Sequence, residues 1–238
     1  FVDAPDISLT TTGSWQDIDL SALVPTGVSG AVVEIINTDE TDTQSGVVRG
    51  KEDTTDYMSN PLNQEIEDFT HRWQIVKADS NGLIQGYITH TQVDFKLQGY
   101  TLGSDPSYFD VPSDITPPTS NQWTTVDVSA IVDGDADGVI LFIDLTNDAK
   151  REYAIRESGS GFNTTSLEIE AYGNAMYLVG LNAADQFDAF IEDVSLIKTY
   201  LVAQTKGSVI YNLEDVPVTD PTLGSYQEID ADDYNIPE

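Results

Sequence analysis

The run Asp133-Gly134-Asp135-Ala136-Asp137-Gly138 carries the sharpest chemical signal in the chain. Three aspartates at alternate positions, closed by a glycine, match the opening of a calcium-binding loop, with Asp144 at its twelfth position. Calcium takes several oxygen ligands converging from a tight turn, which makes Asp133, Asp135 and Asp137 the candidate metal ligands. Two observations stand against this. Val139 to Ile143 reads as a strand, and an extended run carries Asp144 away from the first three carboxylates. Pro25-Thr26-Gly27-Val28-Ser29-Gly30 occupies the corresponding place earlier in the chain, so the fold itself requires no metal. An acidic surface turn is the plainer reading of the same six residues. Calcium is the one cofactor the sequence suggests, and none is required.

Other chemistries find less support. Nucleophilic hydrolysis needs a positioned Ser, Cys or Thr beside a base. The chain has no cysteine and no Gly-x-Ser-x-Gly. Its two histidines, His71 and His90, both lie in the first half and have no counterparts in the second, so they read as surface residues. Neither a P-loop nor a dinucleotide fingerprint is present. Paired carboxylates for glycoside hydrolysis are uninformative where 41 residues are acidic. The expectation is a protein that is not an enzyme. Asn163-Thr164-Thr165 is a lone glycosylation sequon, close to chance in a chain this rich in threonine.

The net charge of −31, from 41 acidic and 10 basic residues, repels nucleic acid and anionic membrane surfaces. The acid is spread through loops and solvent faces, which suits solubility. A high-salt habitat, cation binding or a basic partner are the sharper readings. The longest apolar run, Val139-Ile140-Leu141-Phe142-Ile143, is far shorter than the roughly 20 residues that span a bilayer, so membrane insertion is not expected. The chain opens at Phe1 with no visible signal peptide, and the expectation is a removed leader or a longer product. Without cysteine there is no disulfide framework, and the redox compartment is not legible.

The elements that hold these residues come in copies. Trp15-Gln16-Asp17-Ile18-Asp19-Leu20-Ser21-Ala22 returns as Trp123-Thr124-Thr125-Val126-Asp127-Val128-Ser129-Ala130, and again as Tyr226-Gln227-Glu228-Ile229-Asp230-Ala231. The spacing is 108 residues from Trp15 to Trp123 and 103 from Trp123 to Tyr226. A period of this length is a whole small domain. Phe1-Val2-Asp3-Ala4-Pro5-Asp6-Ile7 resembles Tyr108-Phe109-Asp110-Val111-Pro112-Ser113-Asp114-Ile115, with a fainter echo in Asn212-Leu213-Glu214-Asp215-Val216-Pro217. The domains are therefore set at 1–107, 108–210 and 211–238. The last is either the start of a third repeat or a tail that donates a strand to another subunit. Pro112, Pro117-Pro118, Pro217 and Pro221 suggest semi-rigid extended linkers.

Within each copy the apolar residues alternate at period two. Val93, Phe95, Leu97 and Gly99 are interleaved with Asp94, Lys96 and Gln98, and Asp79-Ser80-Asn81-Gly82 reads as a turn between Trp73-Gln74-Ile75-Val76 and Leu83 to Ile88. No stretch carries a helical apolar stripe. Seven or eight short strands in each copy predict an all-β chain of tandem antiparallel β-sandwiches. Lack of the immunoglobulin cysteine pair tilts the expectation to a jelly-roll-like form. The matched positions are Trp15, Trp123 and Tyr226; Asp19, Asp127 and Asp230; Arg49 and Arg156. The aromatics are expected to anchor cores, the aspartates to cap turns, and the arginines to pair with carboxylates across a sheet.

The stretch from Gly13 to Gly27, the strand after it, and Gly46-Val47-Val48-Arg49 resemble a module found in tailed-phage virion proteins and in secreted repeat proteins of environmental microbes. Trp73-Gln74-Ile75-Val76, Asp79-Ser80-Asn81 and Val93 to Tyr100 fit the same resemblance. It covers most of the first repeat and is weaker in the second, where Val24-Pro25-Thr26-Gly27 becomes Val132-Asp133-Gly134-Asp135. It implies particle surfaces, fibres and adhesion, and supplies no catalytic residues. The expectation is a non-enzymatic structural protein at a virion surface: a capsid decoration, fibre or tail-associated component. Its partners are then other virion subunits, with self-association as a homo-oligomer. The alternatives are a cell-surface adhesin or extracellular filament subunit, or a pair of carbohydrate-binding modules meeting surface glycans through Tyr57, Tyr108 or Tyr172.

Overall fold

The computed structural model describes residues 4–54, 65–67, 70–161 and 167–207. Among these the regular elements are fifteen strands, β1 to β15, with no helix. They form two β-sandwiches of antiparallel sheets. In the first sandwich, one sheet runs β1 (Gln16–Asp19), β6 (Leu83–Ile88), β3 (Gln44–Gly50), β4 (Glu65–Ile66). Its other sheet runs β5 (His71–Lys77), β2 (Val28–Asn37), β7 (Val93–Leu102). Asp6 bridges to Lys96 on the far side of β7.

The second sandwich repeats the scheme. One sheet runs β9 (Trp123–Asp127), β14 (Gln186–Ile191), β11 (Arg151–Glu157), β12 (Leu167–Ile169). The facing sheet runs β8 (Ser107–Asp114), β15 (Ile197–Thr205), β10 (Gly138–Leu145), β13 (Asn174–Gly180). The pairs β8·β15, β9·β14, β10·β13 and β11·β12 nest one inside the next. That is the strand order of a jelly roll. Even irregularities recur: β2 slips register against β7 between Val32 and Val33, and β10 against β15 between Ile140 and Leu141. A bulge kept in both copies is a feature of the fold rather than a local accident.

Each sandwich has its own core. Ile18, Leu20, Val33, Ile35, Ile84, Phe95 and Leu97 fill the first. Val128, Leu141, Ile143, Phe187, Ile191 and Leu201 fill the second. Turn chemistry follows the sequence closely. Asp19 and Asp127 accept the backbone N–H groups of Ser21 and Ser129, at 2.9 and 3.0 Å, as capped turns require. Asp79 accepts Asn81 N and Leu83 N at 2.8 Å each, and Gly82 supplies the positive φ of 77° that closes this turn from β5 in one sheet to β6 in the other.

The prolines do not make a linker. β7 ends at Leu102 and β8 begins at Ser107, so the sandwiches are joined by a short turn. Pro112 is buried within β8, and Pro117 is buried against the second sandwich. β8 is the edge of its sheet, where a residue without N–H costs no ladder bond. Pro217 and Pro221 lie outside the described residues, as do Tyr226 and Asp230.

Candidate functional site: the docked sheet faces

A third apolar cluster lies between the sandwiches. Val47 and Tyr87 from the first meet Ile140, Phe142, Tyr200, Val202 and Ala203 from the second, with Trp15, Ile75, Tyr108 and Met176 packed around them. Side-chain alternation explains its composition. In β3 and β6, Val48, Ile84 and Ile88 point into the first core, leaving Val47 and Tyr87 on the outer face. In β10, Val139, Leu141, Ile143 and Leu145 point into the second core, leaving Ile140 and Phe142 outside it. Every residue of β10 is buried, because the core covers one face and the neighbouring sandwich the other.

Polar contacts pin the rim. Gln74 Nε2 donates to Asn174 Oδ1 at 3.3 Å, Lys77 pairs with Asp110, and the Lys206 N–H donates to Asp105 at 3.0 Å. The Tyr108 hydroxyl lies 3.2 Å from Thr101 Oγ1, which is itself 3.0 Å from Ser29 Oγ. Tyr108 lies against Gly30, where an added Cβ would fall inside the phenol group. Burial pushes the Tyr108 hydroxyl above its ordinary pKa, so it stays protonated and able to donate. A cavity of about 40 Å³ remains at the junction beside Gln74, Phe109, Phe142 and Met176.

On the outer faces of β1-β6-β3 and β9-β14-β11 the same device appears twice. The Arg49 guanidinium stacks 3.9 Å from the Trp15 ring centroid, and Arg156 stacks 4.0 Å from Trp123. Trp15 tilts against Tyr87 at 5.8 Å, and Trp123 against Phe190 at 6.1 Å. Each arginine reaches the side chain directly across the sheet: Arg49 donates to Gln85 Oε1 at 2.9 Å, and Arg156 to Asp188 Oδ2 at 3.2 Å. Lys51 and Gln85 both donate to Asp17, so the first copy ends on a carboxylate one strand further out.

One sequence expectation needs correction here. The repeated tryptophans do not anchor cores: both lie on outer sheet faces beneath an arginine, and Trp15 contributes to the seal between sandwiches. Indole combines apolar area with a π face, so a half-buried sheet surface suits it as well as a core. The carboxylate partner expected of the arginines is met at Arg156 by Asp188, and Arg49 donates to the amide of Gln85.

The acidic turn folds onto the end of β15. Lys206 Nζ lies 2.7 Å from Asp133 and 2.9 Å from Asp135. Asp137 accepts Thr205 Oγ1 at 2.6 Å and the Gly207 N–H. The Lys206 hydrogen bond holds the Asp133 carboxyl below its usual range, with Gln204 adding to it, and the two aspartates raise Lys206 in turn. Asp144 is buried along β10, away from the turn. Among the described residues no three Asp, Glu, His or Cys side chains are grouped to hold a metal ion. A larger opening of about 400 Å³ lies at the junction, with His71, Arg72, Glu67, Glu168 and Glu170 on its lining. There Glu170 is paired to Lys150 at 2.5 Å, and His71 to Glu34. His90 is exposed and accepts the Gln92 N–H at 3.3 Å.

Of the tyrosines considered for glycan stacking, Tyr108 is committed to the junction and Tyr172 sits in a turn at φ 50°. Tyr57 and the Asn163 sequon lie outside the described residues. The junction itself went unread in the sequence, although its signal was present: Val139 to Ile143 is apolar at every position, which a strand with one solvent face does not show. No protein-family model, curated protein or solved structure matches the chain.

Proposed function

We propose that this chain is a non-enzymatic structural protein of a virus particle surface, a decoration, fibre or tail-associated component of a tailed phage. Its work is mechanical: rigid modules held at fixed spacing, presenting loops and sheet faces to neighbouring subunits. One observation carries most of the support, the apolar seal of Phe142, Tyr200 and Val202 against Val47 and Tyr87. Sandwiches joined by a flexible tether would have no use for an inter-module cluster; sandwiches meant to hold one orientation do. The resemblance of the first repeat to phage virion modules supplies the setting. The reading calls for no cofactor, and its partners are other subunits of the particle, including copies of this chain.

Mass spectrometry of gradient-purified particles, with immunogold labelling, tests this directly. The chain is expected at stoichiometric abundance on the particle surface. Its recovery only as a soluble monomer, absent from particles, overturns the reading. Exposed Trp73, 45% accessible on the outer face of the first sandwich, favours a second reading as a glycan-binding module. A glycan array with Trp73→Ala as control tests it, and binding that ignores the substitution dismisses it.

A further inference from the structure

We infer that the outer side of β5-β2-β7 in the first sandwich binds a neutral, all-equatorial pyranose oligomer laid across the sheet from Trp73 to Gly99. The inference deepens the glycan reading above and rests on it. It is indifferent to whether the modules belong to a particle.

Trp73 supplies the stacking surface, 45% accessible, with Glu34 directly across from it in β2 and Lys96 across from Glu34 in β7. Side chains opposite one another on neighbouring strands stand about 5 Å apart, so all three belong to one row. Gln98 and His71 both hold the Glu34 carboxylate, and Asp6 holds Lys96 at 3.0 Å. These groups are fixed before any ligand arrives. A carboxylate still has more lone pairs, and an ammonium more protons, than these contacts use.

The row selects its ligand. The negative π face of the indole attracts polarised C–H groups, and the flanking charges need hydrogen-bond partners when water leaves. A protein surface apolar enough to cover Trp73 would strip water from Glu34 and Lys96 and replace it with nothing. A sugar ring carries C–H groups on its flat side and hydroxyls on its rim, so one ligand satisfies both needs. With every substituent equatorial, only C–H groups turn toward the indole. The net charge of −31 repels uronates and sulfated sugars, which leaves neutral rings as the favoured class.

Gly99 is the second observation. It stands on the same outer side, opposite Val32. A Cβ there would meet only Val32, at 3.7 and 3.8 Å, an ordinary contact, and its backbone is not left-handed. The matched position of the second sandwich, across the same bulge, holds Ala203 opposite Ile140. Neither space nor backbone conformation therefore calls for glycine. A strand glycine often marks the close approach of another group. At Ala203 that group is the neighbouring sandwich; at Gly99 the shelf beside Val32 stays partly exposed. From β5 to β7 is two interstrand steps, about 10 Å, more than one sugar ring covers. The ligand is thus an oligomer.

Isothermal titration calorimetry on the full chain with cellohexaose, and with hexagalacturonate as the anionic counterpart, tests the assignment. Cellohexaose is expected to bind, with binding lost in Trp73→Ala and roughly tenfold weaker in Gly99→Val, whose side chain occupies the shelf. Gly99→Val is expected to melt no lower than the native chain, since valine suits a strand better than glycine. Lys96→Gln serves if Gly99→Val does not fold, with a several-fold loss expected. Four outcomes overturn the inference and leave the glycan reading standing: another glycan bound through Trp73 but not cellohexaose, unchanged affinity in whichever variant folds, a lower melting temperature in Gly99→Val, or tighter binding of hexagalacturonate. No glycan bound on the array, or binding indifferent to Trp73, overturns both.

Discussion

Two equivalent sheet surfaces in this molecule have opposite fates. The outer face of β13-β10-β15 is covered by the other sandwich; the outer face of β5-β2-β7 is not. Their backbones superpose in register: Phe142 lies opposite Met176 and Tyr200, and Glu34 lies opposite Trp73 and Lys96. At matched positions the docked face therefore holds Phe142, Tyr200 and Met176, and the open face Glu34, Lys96 and Trp73. Glu34 accepts Gln98 Nε2 and pairs with His71, and Lys96 pairs with Asp6 at 3.0 Å. The open face thus satisfies its charged groups within itself. A handful of side chains on one scaffold decides whether a sheet face recruits a neighbour, as the polar outer faces of terminal units do in repeat proteins.

The strongest way to break this contrast is to empty the docked face. Phe142→Ala should cost about 3–5 kcal/mol, as loss of a buried phenylalanine does, and should split a single denaturation transition into two. One unchanged cooperative transition would show that Phe142 does not couple the sandwiches. The two tryptophans divide next. Trp15→Ala removes packing from the inter-sandwich cluster as well as the stacked Arg49, and should cost about 3 kcal/mol; Trp123→Ala loses mainly the Arg156 stack and should cost nearer 1 kcal/mol. Equal losses in urea denaturation would mean that the junction gives Trp15 nothing extra.

The converse exchange is Glu34→Phe, which puts the docked residue on the open face. Its expected effect is on association rather than folding: the enlarged apolar patch should produce concentration-dependent self-association in sedimentation velocity. A strictly unchanged sedimentation coefficient would show that one residue does not convert the face. Acid gives a smaller effect. Ser8, then Lys96, lower the Asp6 carboxyl from 3.8 to about 2. The folded pKa lies below the unfolded one, so this contribution is complete above about pH 4 and fades as pH falls toward 2. In Asp6→Asn that part of the acid dependence should be missing from the stability curve. The smallest expected effect is calcium. The Lys206 ammonium already sits on Asp133 and Asp135, so added calcium should leave the melting temperature of the native chain unchanged. A rise that disappears when Asp133, Asp135 and Asp137 become Asn would instead establish the turn as a metal site.

Strands and turns were legible because they depend on neighbours in sequence. Period-two alternation places Ala31, Val33 and Ile35 on one side of β2 whatever lies opposite, and Asp79 with Gly82 closes a turn locally. The junction was written less plainly. Val139 to Ile143 announces a strand covered on both faces, yet nothing in that run says what covers the second. Trp15 and Arg49 stand far apart in sequence, and their stacking exists only because β1 and β3 flank β6. Asp133 and Asp135 have the spacing of a cation loop, but β15 delivers Lys206 to them from the other end of the domain.

By itself, then, the amino-acid order determined two all-strand units, their turns, and which residues of each strand face inward, because side-chain alternation and turn stereochemistry are local. Only the tertiary structure decided that Phe142 meets Tyr87, that Tyr108 needs Gly30, and that a lysine occupies the acidic turn. Those choices depend on which surfaces remain uncovered once both sandwiches have closed, and no short window of sequence contains that information.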